Sequence, residues 1–283
     1  MERTATCACP LASSIGLART WLLTPAADPA AIAAAHTCNA DVLVLDLEDG
    51  VSERDKSVAR DVAARCFGVG HSSWVRVNDA TTDHWGEDLQ MLSDTGNVNG
   101  VVLAKTEDAE QVAATAARLP SGTPIVALIG SALGLEKARS IARVPSTVRL
   151  ALGSGDICHD TGTAADPISL SYARSRLVVA SCAARIAPPI DGPTLADNDT
   201  DLRARVEVGA AAGMTGKLCL NPNHIPTINA ALSPSEQDIV WAEDVIARFG
   251  ADGAHVTNMS DRPKLARALR IRRITRAFAT ADA

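Results

Sequence analysis

Residues 42–50 read VLVLDLEDG: an apolar run of the kind that fills an interior, ending in three carboxylates within four positions. An isolated carboxylate is costly to bury, so this pattern describes a buried strand that opens into a polar mouth. Seven more short apolar runs fall at residues 21–24, 73–78, 100–105, 124–129, 148–154, 188–192 and 216–221. Alanine-rich helical stretches separate them, near 29–38, 56–66, 85–92, 107–119, 135–142, 167–184, 201–212 and 222–231. The runs are continuously apolar rather than alternating, as expected of a parallel sheet covered on both faces. Eight strand–helix repeats predict an α/β fold of the (β/α)8 TIM-barrel type. The seventh strand is the weakest, because Pro188 and Pro189 each remove a ladder donor. A doubly wound open sheet is the competing topology. It usually carries a Gly-rich phosphate turn, and the GSGD at 153–156 is no such match.

Helix-start chemistry extends the chain beyond the barrel. Asp28-Pro29 reads as a cap followed by a first-turn proline, and Ser233-Pro-Ser-Glu236 reads as a capping box opening a helix over 234–248. A last helical stretch covers about 262–278. The expected organisation is a mobile N-terminal segment (1–18), a barrel (19–232) and a C-terminal helical extension or lid (233–283).

Bulk properties narrow the function. The 283 residues suit one barrel, and with 47% apolar but only 3% aromatic residues, aliphatic side chains must fill the core. The net charge of −6 comes without a basic block, which argues against nucleic-acid binding. No run approaches the ~20 apolar residues of a membrane span, and Arg19 interrupts the N-terminal apolar stretch. Seven scattered cysteines, Cys7 and Cys9 among them, give no disulfide framework. A cytoplasmic, membrane-free protein is expected.

In a barrel the strand C-termini form the active face. That face collects Asp46, Glu48 and Asp49 from strand two, Arg76 and Asn78 from strand three, and Lys105 from strand four. Asp156 follows strand six, Asp191 lies on strand seven, and Asn221 ends strand eight. Glu48, Asp49 and Lys105 also admit plain readings as helix caps or rim ion pairs. An arginine inside a buried strand demands anionic partners, and its planar fork suits a substrate carboxylate. Asp156 follows two glycines that let a backbone approach a ligand. Cys158 and His159 are adjacent, which does not make a catalytic dyad, and His36, His71, His84 and His255 show no metal spacing.

The chain resembles the citrate lyase beta-subunit-like branch of the HpcH/HpaI (2-oxo-acid) aldolase superfamily. The resemblance is carried by ADVLVLDLEDGVSERDKSVAR (40–60), VRVN (75–78), VVLAK (101–105), LGSGDICHDTG (152–162), GMTGKLCLNPNHI (213–225) and SDRP (260–263). It implies a barrel with C-terminal helices, a homo-oligomer (a trimer or a multiple of one), and Mg2+. The implied activity makes or breaks a carbon–carbon bond between an acyl-CoA and a 2-oxo acid, as a citryl-, malyl- or citramalyl-CoA lyase does. By the same resemblance Arg76 holds the oxo-acid carboxylate, Asp156 ligates the metal, and Glu48 and Asp49 face it. Asp261 corresponds to a lid carboxylate, Gly130 and Ser131 border the substrate, and Arg19, Lys56 and Arg60 meet CoA phosphates. The pattern is broken where a second metal carboxylate is expected: the segment reads IGSALG, with Gly130 in place of Glu and Leu133 in place of a common Arg. Asn221-Pro222 replaces a His-Pro. A weakened or absent metal follows, and two alternatives stand beside the lyase: a catalytically degenerate barrel that binds a small acid, and a CoA-thioester hydrolase.

Overall fold

Eight parallel strands close into a barrel in sequence order in the computed structural model, which describes residues 15–68, 73–96 and 98–279. They are β1 (Thr20–Pro25), β2 (Val42–Asp46), β3 (Trp74–Val77), β4 (Gly100–Leu103), β5 (Ile125–Ile129), β6 (Thr147–Leu152), β7 (Ile190–Asp191) and β8 (Gly216–Cys219). The helices around them are α1 (Pro29–Ala35), α2 (Lys56–Gly68), α3 (Asp83–Thr95), α4 (Ala109–Ala117), α5 (Ala132–Ala142), α6 (Ser154–Thr161), α7 (Ser171–Ala184), α8 (Asp199–Ala212) and α9 (Ile225–Leu232). The open-sheet alternative is thereby excluded. Residues 1–14 of the expected mobile segment, with Cys7 and Cys9, lie outside the described residues, as does His71.

Period-two alternation explains why the strands read as continuously apolar. Trp21, Leu23, Val42, Val44, Trp74, Val102, Val126, Leu128, Ala151, Ile190 and Leu218 fill the barrel interior. Their alternates Leu45, Val75, Val101, Leu103, Ile125, Ala127 and Leu150 pack against the helices. Trp21 and Trp74 meet edge to face, with centroids 5.0 Å apart, which supplies bulk that so few aromatics could not supply elsewhere. Below them Arg149 is fully buried, with no carboxylate partner among the described residues. It donates to the carbonyls of Ile15, Ala18 and Pro188 and to Thr215 Oγ1, and burial depresses its pKa to about 9.

Strand seven is shortened as its prolines require. Only Ile190 and Asp191 join the ladder, against Ala151, Gly216 and Lys217. The carbonyls of Pro188 and Pro189 still serve, accepting from Arg149 and from the Thr215 amide. The GSGD stretch directly follows β6. It forms the first turn of α6, capped by Gly153, and Gly153 lies close to Gly130 and the Ile129 carbonyl. Its lack of a side chain leaves room for the Asp156 carboxylate, which a Cβ there would meet at 2.8 Å.

By contact density the chain divides into two compact units, Met1–Asn229 and Ala230–Ala283. Taken by itself, the second is a helical hairpin of α10 (Glu236–Phe249) and α11 (Asp261–Ala279). Ala242, Ile246, Phe249, Leu265 and Ala268 form its core. Its capping residue is Ser235, which accepts from Asp238 N at 3.1 Å, not Ser233. Proline disfavours helical backbone in the residue before it, so the helix starts after the Ser-Pro step. No helix of the described residues is long and apolar enough to cross a membrane.

Candidate active site

Asp46 and Arg76 are register partners at the top of β2 and β3. They share interior parity with Val44 and Trp74, so both side chains enter the barrel mouth. Arg76 donates from Nε to Asp46 Oδ1 (2.7 Å) and from Nη2 to Asp46 Oδ2 (2.6 Å), and its Nη1 lies 3.0 Å from Glu48 Oε2. Arg76, Asp46 and Glu48 are all buried. Burial disfavours the guanidinium charge, but Asp46, Glu48 and Asp49 outweigh it and hold the pKa of Arg76 above its usual value.

Strand β2 and the turn after it satisfy the Asp46 carboxylate locally. The amides of Glu48 and Gly50 donate to Asp46 Oδ1 (2.9 Å) and Oδ2 (3.0 Å). A turn of backbone donors thus shares Asp46 with Arg76. A Cβ at Gly50 would land on Asp46 Oδ2. Gly50→Ala is therefore expected to destabilise the protein by about 1–3 kcal/mol, the usual cost of overpacking, in a urea titration. An unchanged midpoint would show that this turn relaxes freely.

Lys105 completes the bowl. Its Nζ lies 2.6 Å from Glu48 Oε1 and 3.1 Å from Asp49 Oδ1. Its side chain keeps 40% exposure, so the ammonium faces the mouth. The backbone there is left-handed, φ 46°, an uncommon state for a residue with a Cβ and one that concentrates at functional sites. Burial raises the pKa of Glu48 against the pull of Arg76 and Lys105. Burial also pushes Asp49 upward, but hydrogen bonds with Glu48 and Lys105 prevail and lower it.

Asp156 stands on the first turn of α6, half-buried, with its carboxylate against Gly130 and Gly153. Burial first, then the charge of Asp49, raises its pKa, while Lys105, Arg76 and His159 pull it down. That coupling places Asp156 in the same electrostatic bowl as Arg76. No hydrogen bond to its carboxylate is found among the described residues.

Other sequence candidates sit elsewhere. Lys56 is a correction: its ammonium is buried and donates to the carbonyls of Leu47 (2.7 Å) and Glu48 (2.9 Å) and to Asn78 Oδ1 (2.7 Å). It props the β2 loop from behind and cannot meet a CoA phosphate. Arg60 pairs with Asp88 (3.2 Å) and Glu87 on α3, which binds α2 to α3. Arg19 precedes β1, at the N-terminal end of the barrel, and pairs with Asp41 at 2.8 Å; it lies opposite the active face. The Ser131 hydroxyl caps α5 and donates to Glu107, so it is already committed. Asp191 points outward, between Arg174 and Lys217. Asn221 caps the 3-10 turn Pro222–His224. Asp261 opens α11 in the second unit and accepts from Lys264 at 3.0 Å. Sequence reasoning missed the partnership of Asp46 with Arg76, although the shared parity of Val42, Val44 and Asp46 signalled it.

A closed (β/α)8 barrel thus gathers a guanidinium, an ammonium and four carboxylates at its strand C-termini. The HpcH/HpaI aldolase/citrate lyase family model matches residues 19–222, and the HpcH/HpaI aldolase C-terminal domain model matches 237–279. The chain belongs to this family. It is 33% identical over 236 residues to a citrate lyase subunit beta-like protein of Mycobacterium tuberculosis, covering 80% of this chain and 83% of the relative. It is 30% identical over 238 residues to a (3S)-malyl-CoA thioesterase of Cereibacter sphaeroides, covering 82% of each. Among solved structures it resembles the M. tuberculosis protein CitE in complex with magnesium, acetoacetate and coenzyme A. The TM-score is 0.76 at 28% identity, over 92% of this chain and 99% of that one.

Proposed function

We propose that the protein is a carbon–carbon lyase that cleaves or forms a 3-hydroxyacyl-CoA from an acyl-CoA and a 2-oxo acid. The observation that carries this reading is the clamped Arg76 in the barrel mouth beside Lys105 and Asp156. An arginine has five N–H donors. Three are directed at Asp46 and Glu48, and the remaining two suit the carboxylate of an oxo acid.

Magnesium in the structures of relatives raises the question of a metal here. Without a substrate, the donors of this chain do not make up a full set of ligands for an ion. Among the described residues no group of three or more His, Cys, Asp or Glu is arranged to hold one. Glu48 is committed to two cations, and Gly130 offers no donor. The proposed metal ligand Asp156 is thus one carboxylate rather than part of a set.

In the cleavage direction a base takes the hydroxyl proton of the 3-hydroxyacyl-CoA. The bond between C2 and C3 breaks, and its electron pair moves onto the thioester carbonyl as an enolate. The oxo acid leaves, and protonation at C2 completes the acyl-CoA. Arg76 holds the acid end, and Lys105 supplies a positive charge for the oxygen that becomes anionic. Asp156, with its raised pKa and no hydrogen-bond partner among the described residues, takes and returns the proton. A general base of this kind contributes roughly 10²–10⁴-fold. Asp261 is assigned the lid role that the family resemblance implies.

Incubation with malyl-, citramalyl- and citryl-CoA, with and without Mg2+, tests the reading. An acyl-CoA and a 2-oxo acid should appear in equal amounts. Free CoA instead of acyl-CoA would assign thioester hydrolysis, the activity named for the C. sphaeroides relative. No consumption of any ester would remove the enzyme reading and leave an acid-binding barrel.

Gly130→Glu adds a check on the metal question. A Cβ at this position would lie 2.9 Å from Asp156 Cβ and 3.0 Å from its Oδ2. The substitution is expected to displace Asp156 at a cost of about 1–3 kcal/mol and to give no tight Mg2+ binding in calorimetry. Tight binding at unchanged stability would show that Gly130 alone had emptied a metal seat.

A further inference from the structure

A second polar pocket lies on the same face, outside the barrel mouth. Its volume is about 50 Å3, and Ser154, Leu170, Arg174, Pro193, Thr194 and Arg205 contribute to its walls. Ser154 begins the helix after β6, and Pro193 and Thr194 belong to the loop after β7, so ligand-bearing elements of a barrel frame it.

Its charges are unevenly matched. Arg174 donates from Nε to Asp191 Oδ1 (2.9 Å) and from Nη2 to Oδ2 (3.4 Å). Lys217 Nζ lies 3.1 Å from the same carboxylate. One buried carboxylate therefore faces two buried cations. Arg174 has 8% side-chain exposure, and its Nη1 is buried with no acceptor among the described residues. A buried donor left unpaired is costly. Arg205 spends only its Nε on Asp201, and its terminal nitrogens have no acceptor among the described residues. The one acid in the wall, Asp166, accepts from Ile168 N, Ser169 N and Ser169 Oγ and so is turned into its own loop.

We propose that this pocket binds one phosphate-sized oxyanion, held by the guanidiniums of Arg174 and Arg205 with Ser154 at its edge. A water needs roughly 10–15 Å3 of such space, so the pocket has room for a tetrahedral anion and none for a nucleotide. The anion balances the excess of buried cations over carboxylate around Asp191. Two sources share this chemistry: free inorganic phosphate, and a phosphate of a larger ligand such as CoA. The inference does not rest on the proposed lyase reaction, because binding is read without turnover.

Calorimetric titration of the full chain with inorganic phosphate at constant ionic strength tests it. Saturable binding is expected. Arg205→Gln, which leaves the Arg174–Asp191 pair intact, should weaken it at least about tenfold, the scale of a lost charge-assisted hydrogen bond. Arg176→Gln, whose side chain instead reaches the Glu136 carbonyl, should bind as the parent does. Competition by CoA but not by pantetheine would identify a ligand phosphate as the source. Phosphate binding that CoA leaves untouched would identify the free anion. Absence of saturable binding, or an Arg205→Gln variant that binds like the parent, overturns the proposal.

Discussion

Arg76→Met is expected to lose both acid binding and a large part of the fold's stability. Asp46 and Glu48 have 3% and 5% side-chain exposure, and Arg76 is the only guanidinium that reaches both among the described residues. Breaking a buried pair by removing one partner costs about 3–5 kcal/mol, because the partner's charge stays buried. At 2–4 °C per kcal/mol for a domain of this size, the melting temperature should fall by roughly 10 °C. Should the proposed activity be present, loss of the anchoring group is expected to reduce kcat/KM by at least about 100-fold, the scale of a misplaced substrate. Arg76→Lys separates the two effects. It keeps the charge, so much of the stability returns, but one ammonium cannot span Asp46 and Glu48 and still present donors to an acid. A methionine variant that melts and binds oxo acid like the parent would show that the clamp is not the site.

The second large effect lies on the opposite side of the strands from the bowl. Asp191→Ala strips from Lys217 and Arg174, which have 2% and 8% side-chain exposure, the only carboxylate that pairs with them among the described residues. The Gly192 carbonyl remains for Lys217 at 2.7 Å, which neutralises nothing. A loss of about 3–5 kcal/mol is again expected, measured by thermal or urea unfolding. The pH dependence has a definite sign. Burial already lowers the pKa of Lys217 against the attraction of Asp191, and removing Asp191 lowers it further. A lysine depressed in the folded state costs stability while both states are protonated. That cost is relieved as pH rises from the folded pKa towards the unfolded value of 10.5. The variant's deficit should therefore shrink in alkali, and Asp191→Ala/Lys217→Met should recover part of it at neutral pH. A deficit that grows with pH would contradict this account.

These two clusters show where a linear reading stops. Asp46 and Asp191 are each a carboxylate at the end of an apolar strand, and their sequence neighbourhoods look equally like an active rim. Parity separates them. Asp46 follows Val42 and Val44 into the barrel, whereas Asp191 alternates with the interior residue Ile190 and faces the helices. Along a five-residue strand this parity is readable; along a two-residue strand preceded by prolines it is not. Lys56 and Lys105 make the same point for cations. Each follows an apolar strand, yet one is drawn beneath a loop by three acceptors and the other is turned into the mouth by a left-handed backbone.

The eight-fold alternation, the buried character of the strands, the face on which the polar residues gather and the family to which the chain belongs are all legible in the residue order. These follow from local periodicity and from the order of motifs, which need no knowledge of distant contacts. Only the tertiary structure decided which carboxylate holds Arg76, that Asp156 rests in the space above Gly130, and that Arg19, Lys56 and Arg60 have their charges answered within the barrel unit. Those outcomes depend on which strands become register partners and on how opposite charges settle once water is excluded, and both are fixed only when the barrel closes.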